Sequence, residues 1–469
     1  MPPLRRILSR YQIRRRVKEL AVLAALVASS LLVLGAAPAD APAAPRTAAP
    51  LTFHCRLDST CPQVMVTGDP LATLGTGPAP FRGYGDPSLE YDPSTGALWL
   101  SYSWLDVLVS NPGPPPQIDF GVRTHLARSD DGGASFTFVK SVNQTTTLTH
   151  PDSGVPGWAM HEVSTLLREA PDNWQMLWLT YFEPFGEPPS GSPEDRTDPY
   201  YARSDASSPD SLGDSSAPWI RGNGTSPSFG AQYNLSTIPQ LSDCAAFTEP
   251  ALFSQGGVTY LATNCVVFQD GVRRDDLERL VLLRQEANGY SYVGTLLTSS
   301  DAADLGATRI EQTDIALSRT GHILLIATPI QDGTPEHLGC VVFEITDIGT
   351  AQVRRDAGGQ AVQLARITGD DGTIGPGLCT YDAASETGVL IVLHVFNEDP
   401  FDLEFSLRAT GVHPDVSPNP VGGIAELAEP PSSDETSQNR PYVAFVVAAA
   451  LVAITAGMVL FIRRRGLRP

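Results

Sequence analysis

The chain has 469 residues, 52 Asp and Glu against 32 Lys and Arg, and a formal charge of −20 at neutral pH. That length exceeds one small core, and the acidity argues against nucleic acid and anionic lipid as partners. The middle is more acidic still, because seven of the basic residues fall in the first 44 positions and four follow position 462.

Residues 1–44 begin with a basic stretch that includes Arg5, Arg6, Arg10, Arg14, Arg15, Arg16 and Lys18. The apolar run "AVLAALVASSLLVLG" and an A-x-A-like site at Ala37-Pro38-Ala39 follow. This order reads as a secretory signal, with an uncleaved N-terminal anchor as the alternative. Residues 45–440 are then expected outside the membrane, with 45–412 as the propeller ectodomain. Its six cysteines are Cys55, Cys61, Cys244, Cys265, Cys340 and Cys379. An even number outside the cell favours disulfides, and proximity in sequence favours the pairs 55–61, 244–265 and 340–379. Zinc-type spacing is missing, so no metal ligand is expected.

Five segments share one plan, a polar lead followed by two apolar runs around a turn. They are 85–104, 161–182, 248–265, 313–329 and 379–396. β-Branched and aromatic residues fill the runs and Gly, Pro, Asn, Asp or Ser the turns, so each predicts a β-hairpin. The leads are Asp86, Glu162, Glu249, Asp314 and, in the fifth slot, Thr380 or Tyr381. No stretch has the period of a long amphipathic helix. The repeat predicts an all-β chain folded as a β-propeller, five-bladed, with a six-bladed ring as the alternative. "ARSD" occurs at 127–130 and again at 202–205, and "LRQE" at 283–286 is a third copy. These copies mark a later strand of the first three blades. Arg128, Arg203 and Arg284 share that register, which predicts salt bridges from blade to blade. Residues 63–68 are available as the outer strand of blade five, whose third strand is 403–412. The Pro/Ser/Gly-rich region 183–245 reads as an insertion within blade two and the entry to blade three. Residues 413–441 read as a stalk. Residues 442–462 include twenty without a charge and predict one transmembrane helix, with 463–469 as a cytoplasmic basic tail. The propeller is then outside the cell, single-pass, and expected as a monomer.

Ser129-x-Asp131-x-Gly133-x-x-Phe136 resembles the Asp-box of sialidases and related BNR-repeat propellers. In that family the box lies away from the substrate and marks architecture. "Asp86-Pro87-Ser88-Leu89", "Glu249-Pro250-Ala251-Leu252" and "Trp158-Ala159-Met160-His161-Glu162-Val163" resemble the inner strands of five-bladed arabinanase- and xylosidase-type glycosidases. That likeness implies a first-blade aspartate as base and a later glutamate as acid. Arg82 in "Phe81-Arg82-Gly83-Tyr84" echoes a sialidase start, but the arginine triad and tyrosine nucleophile of a sialidase have no clear counterpart.

Inner strands of a propeller line its channel, so Asp86, Glu162, Glu249 and Asp314 are expected to converge at one mouth. Like charges at short range raise one another's pKa, and glycoside hydrolysis needs one carboxylic acid and one carboxylate. Asp86 is the candidate base or nucleophile and Glu249 the acid. Glu162 or Asp314 would tune pKa or hold a sugar hydroxyl. Arg82, His161, Trp104, Trp158 and Tyr381 are candidate substrate contacts. The competing reading is a solvated rim or a structural calcium site, with no other cofactor. Two functions follow. One is a membrane-tethered hydrolase of extracellular glycans or glycoconjugates. The other is a non-catalytic propeller that binds glycans or proteins.

Overall fold

Strand follows strand in the computed structural model, which describes residues 50–56, 60–69, 81–111, 117–185, 197–213, 216–331, 337–369, 374–396 and 403–415. The expected signal, stalk, membrane helix and tail lie outside these residues. The described chain is nearly all β, and its longest helix, Ser299–Asp304, has six residues.

Five repeats are built alike. The first runs through Phe81–Asp92, Ala97–Asn111, Gln117–Ser129 and Ser135–Ser141. Pro156–Ala170, Asn173–Pro184, Thr197–Ala206 and Ala217–Arg221 make the second. The third is Cys244–Gln255, Val258–Gln269, Arg279–Glu286 and Gly289–Thr298. The fourth is Arg309–Leu317, Ile323–Ile330, Cys340–Asp347 and Gln363–Gly369. Ile374–Thr380, Leu390–Phe396 and Leu403–Ala409 belong to the fifth. Each repeat is an antiparallel meander. The first hairpin of repeat three shows why the chain turns where it does. Gln255 pairs with Val258 across Gly256 and Gly257, whose φ values of 60° and 76° suit a two-residue hairpin loop. The region 183–245 is not an insertion. It supplies the third and fourth strands of repeat two, and short 3₁₀ turns occupy much of the rest.

The core is divided into five apolar clusters, one at each junction between neighbouring repeats. Trp99 meets Trp174 and Trp178 between repeats one and two. Leu177 and Leu179 meet Phe247 and Leu261 between two and three. Ala262 and Leu282 meet Leu325 and Phe343 between three and four. Ile326 and Val342 meet Ile391 and Leu393 between four and five. Leu390 and Leu407 meet Tyr84 and Leu100 between five and one. The order returns to its start, so the five inner strands form a closed ring.

Hydrogen bonds knit that ring. Leu166 N donates to Ser88 Oγ (3.2 Å), Leu252 N to Thr165 Oγ1 (2.9 Å) and Asn264 Nδ2 to the Ile310 carbonyl (2.8 Å). Thr380 Oγ1 donates to Asp314 Oδ2 (2.6 Å) and accepts from Leu89 N (3.0 Å), so one hydroxyl ties repeats four, five and one. The N-terminal segment laces the outside. Leu51–Cys55 lies parallel to the last strand of repeat four, Gln63 bridges Arg408 of repeat five, and Met65–Thr67 lies parallel to Ser135–Ser141 of repeat one. Residues 63–68 therefore serve two repeats rather than the fifth alone. Val64 and Val66 alternate into the cluster between them. At Gly83 a Cβ would lie 2.2 Å from the Phe405 carbonyl oxygen, so the parallel contact of repeats five and one requires glycine there.

All three disulfides pair as the sequence suggests: Cys55–Cys61, Cys244–Cys265 and Cys340–Cys379. The third joins repeat four to the inner strand of repeat five. In urea denaturation, replacing Cys340 and Cys379 together by Ala is expected to remove about 4 kcal/mol, on the loop-entropy scale, for its separation of 39 residues. A loss below about 1 kcal/mol would contradict that role.

Candidate active site

Each inner strand breaks its pairing at a common height. The register slips between Gly85 and Ser88, Glu162 and Ser164, Thr248 and Ala251, Glu311 and Thr313, and Gly377 and Thr380. These are β-bulges. Five of the eight non-glycine residues with positive φ among the described residues sit in them: Asp86 (45°), Val163 (46°), Glu249 (58°), Gln312 (24°) and Leu378 (50°). Such conformations cost of order 1–3 kcal/mol each and gather at functional sites. A β-branched valine there is a clear outlier.

Two residues before the first paired residue after each break stand Asp86, Glu162, Glu249, Glu311 and Leu378. Four consecutive repeats thus place a carboxylate in one slot. Their relative exposures are 8, 6, 4 and 8 %. Sequence reasoning named three of them and put Asp314 in the fourth place. Asp314 lies three positions further on. Its carboxylate accepts from Thr380 Oγ1, from Tyr381 N (3.3 Å) and from Ile315 N (2.9 Å), holding repeat five against repeat four. "TDIAL" at 313–317 matches the look of "TEPAL" at 248–252, whereas the register matches "IEQT" at 310–313.

Asp86 accepts a hydrogen bond from Ser103 Oγ (2.7 Å), and the same oxygen accepts from Val163 N (2.9 Å). Burial pushes its carboxyl up to about 6. The Ser103 and Val163 hydrogen bonds pull it down, and the charge of Glu311 pushes it up further. Glu311 is ion-paired with buried Arg309, and Arg273 Nη2 approaches it to 3.5 Å. Arg273 also binds Glu278 in a bidentate pair at 2.5 and 2.8 Å. His337 lies in the same cluster. Burial pushes it down to about 4, while Glu311 and Arg309 act on it in opposite senses. The His337 ring occupies the space that a Cβ on Gly377 would need, at 2.8 Å, beside the fifth slot. A neutral imidazole from repeat four thus stands beside the slot of repeat five, where the other repeats carry an acid. Glu311, Arg309, Arg273 and His337 were not singled out from the sequence; the signal for the first was the spacing to Thr313. Glu249, the most buried of the four, has the Tyr201 phenol within its field. Burial first, and then the Glu249 charge, push that phenol well above its usual range.

The remaining expected contacts divide. His161 is half-buried, Nδ1 lies 3.0 Å from Thr180 Oγ1, and burial pushes it down to about 4, so it is neutral at pH 7. Trp158 packs edge-on to exposed Phe185, centroids 4.9 Å apart, where the first hairpin of repeat two opens. Trp104 does not face the ring: it is 4 % exposed, wedged against Tyr84 and stacked on His125. Tyr381 is 1 % exposed and packs edge-on against His413. Both are core aromatics, as alternation in a strand can make any aromatic. The side chain of Arg82 lies outside the described residues. Arg128, Arg203 and Arg284 pair with Asp130, Asp205 and Glu286, each two residues on in the same strand end, so they do not bridge repeats.

Ser129, Asp131, Gly133 and Phe136 form a turn. Ser129 Oγ donates to Asp131 Oδ1 (2.7 Å), Gly133 N to Ser129 Oγ (2.8 Å) and Ser135 N to Asp131 Oδ1 (3.0 Å), above buried Phe136. Ser129 pairs with Leu98, whereas Ser103 is level with Gly85 beside Asp86. The turn is thus about 17 Å along the sheet from the carboxylates. Among the described residues, no three of the ring carboxyls come within 4.8 Å of one another. The one such grouping is Asp243, Cys244 and Cys265, whose cysteines form a disulfide.

No family model matches the chain, and no curated protein matches it. Among solved structures it is similar to an α-L-arabinofuranosidase from Podospora anserina (10 % identity, 74 % of this chain and 94 % of that one, TM-score 0.39). It is also similar to a thermostable family-43 glycoside hydrolase (11 %, 73 % and 97 %, TM-score 0.41) and to an arabinanase from Bacillus subtilis (13 %, 70 % and 95 %, TM-score 0.35).

Asp314 offers a test of its structural role. Burial pushes its carboxyl up from 3.8 to about 6. The folded state therefore holds the proton more tightly than the unfolded state, and this stability is lost as pH rises from about 4 to about 6. Urea unfolding of the wild type, compared with Asp314→Asn, is expected to show a stability difference that falls across that window and levels off above it. A difference that is flat with pH, or that rises, would contradict the placement.

Proposed function

We propose that the ring is a five-bladed β-propeller and that the protein is a glycosidase acting on extracellular glycans or glycoconjugates. Five bulged inner strands, five junction clusters and a return to the first repeat support the blade count. The observation that carries the activity is the repeated slot, with four carboxylates at the strand breaks around one ring, Asp86 and Glu249 themselves on strained backbone. Asp86 acts as base or nucleophile. Its hydrogen bonds from Ser103 and Val163 support the charged form, and at about 6 it is ionised at neutral pH. Glu249 acts as the acid, in the most enclosed position of the four. Glu162 stands between them in ring order, where it tunes both or receives a sugar hydroxyl. Trp158 and Phe185 offer an aromatic edge for a sugar face. The three disulfides support export, and the uncharged stretch within 442–462 followed by arginines supports a membrane tether.

The test is a panel of glycans and aryl glycosides with the full chain. Glu249→Gln is expected to lower kcat/KM about 10²–10⁴-fold on natural glycans, where the leaving group needs a proton, and far less on aryl glycosides with acidic leaving groups. Asp86→Asn is expected to lower both about equally. Turnover untouched by Glu249→Gln would remove the assigned acid. Glycan binding without turnover of any glycoside would favour the non-catalytic propeller.

A further inference from the structure

We infer that His150 is a pH-sensitive clasp for the rim of repeat two, closed while its imidazole is neutral and released when the ring takes up a second proton. What the release does to a glycan rests on the hydrolytic reading; the release itself does not.

The clasp is a closed circuit of hydrogen bonds through three separate segments. His150 Nε2 lies 2.8 Å from Asp198 Oδ2. Asp198 Oδ1 accepts from Ser226 N. Ser226 Oγ donates to one carboxylate oxygen of Asp152, and Ser228 Oγ donates to the other (2.5 Å). Asp152 N and Ser153 N close the circuit on His150, each 3.2 Å from Nδ1. Asp198 keeps its place with φ at 56°, in the left-handed region that residues other than glycine seldom adopt.

The two amides fix the state of the ring. A main-chain N–H only donates, so Nδ1 accepts and Nε2 carries the hydrogen given to Asp198. A second proton would sit on Nδ1 and face both N–H groups, and both bonds would be lost. The His150 and Asp198 side chains are only 9 and 10 % exposed, so water is poorly placed to replace them. The turn they hold is closed otherwise by Gly154 N on the His150 carbonyl (3.0 Å) and His150 N on the Val155 carbonyl (2.8 Å). It leads directly into Pro156–Ala170, the strand of Trp158 and Glu162. Phe185 N donates to the Pro156 carbonyl (3.3 Å), and Val155 and Phe185 are both exposed. The clasp thus supports an exposed apolar rim at the start of the strand that carries Glu162.

Phe182 and Phe229 pack edge-on to the imidazole, and Tyr200 lies against Phe229. Among the described residues, the charged groups at this end of the surrounding segments are Asp152, Asp198, Glu183 and Arg221. Arg221 gives its Nη1 to the Gly222 and Thr225 carbonyls. The serine hydrogen bonds hold the Asp152 carboxyl below its ordinary value. Burial holds the Tyr200 phenol at about 12 and His161 at about 4. Histidine is the side-chain type that exchanges its proton between about pH 5 and pH 8.

Hydrogen exchange of the full chain, read by mass spectrometry at about pH 7.5 and about pH 5.5, tests the clasp. Rates are normalised to an unstructured peptide of the same sequence. The stretch 150–156 is expected to lose about tenfold or more of its protection at the lower pH, while Cys244–Gln255 stays protected at both. His150→Gln, an acceptor and donor of fixed charge, is expected to stay protected at both, and His150→Phe at neither. Equal protection of 150–156 at the two pH values in the wild type would overturn the inference. So would a pH response that survives in His150→Gln. If the variants do not fold, the wild type decides alone: a loss confined to 150–156 and 222–230 supports the clasp, and one that reaches Cys244–Gln255 overturns it. On any aryl glycoside that is turned over, KM is expected to rise toward acid pH in the wild type and to rise less in His150→Gln. If no glycoside is turned over, the hydrolytic reading fails while exchange still decides the clasp.

Discussion

One constraint recurs in all five inner strands: each must interrupt its own ladder at the same height. The interruption costs backbone strain and local hydrogen bonding, and it is repeated five times round the ring. It also does something a regular strand cannot. A bulge turns a side chain out of strict alternation, and each of the first four repeats carries a buried acidic residue at its break. The residues just after each break then knit the ring, through Ser88, Thr165, Thr313 and Thr380. Strain, closure and the acidic cluster are therefore one feature of the fold.

The same geometry explains how several carboxyls are tolerated inside. Burial alone would strongly oppose their charges. The structure answers differently at each position. Asp86 has hydroxyl and amide donors, Asp314 has a threonine and two backbone amides, and Glu311 has arginines. An isolated acid would stay protonated, whereas an arginine-paired one stays charged. Unequal partners thus separate groups of one residue type, which is the condition acid–base chemistry needs. Asp314 and Glu311, three residues apart, end in opposite roles: one holds strands together, the other holds a charge.

Much of the architecture was legible because it depends on short-range pattern. Apolar runs around Gly-rich turns marked the hairpins, and their spacing marked the repeat. Cysteines near in sequence were also near in space, since meander strands keep neighbours together. The site was legible in three of its four carboxylates, where proline follows the acid at Asp86 and Glu249 or a tryptophan-led segment precedes Glu162. It failed at the fourth, because "TDIAL" imitates the lead and a bulge leaves no mark in polarity: Glu311 and Asp314 are equally acidic. The aromatics failed for a related reason. Trp104 lies within Ala97–Asn111 and Trp158 near the start of Pro156–Ala170, and only the packing around them decides that one meets His125 and the other Phe185. The three arginines shared a register as expected, but partners two residues away were available at lower entropic cost than partners on another repeat.

The central claim is that Asp86 and Glu249 act together on one bond. A crystal structure of the protein with a non-hydrolysable glycoside bound tests it most directly. The account predicts the sugar seated within the ring, with one carboxyl at the glycosidic oxygen and the other facing the anomeric carbon. Their separation should be about 5–5.5 Å for a retaining reaction or about 6.5–9.5 Å for an inverting one. Carboxyls more than about 10 Å apart, or a sugar bound away from both, would contradict it.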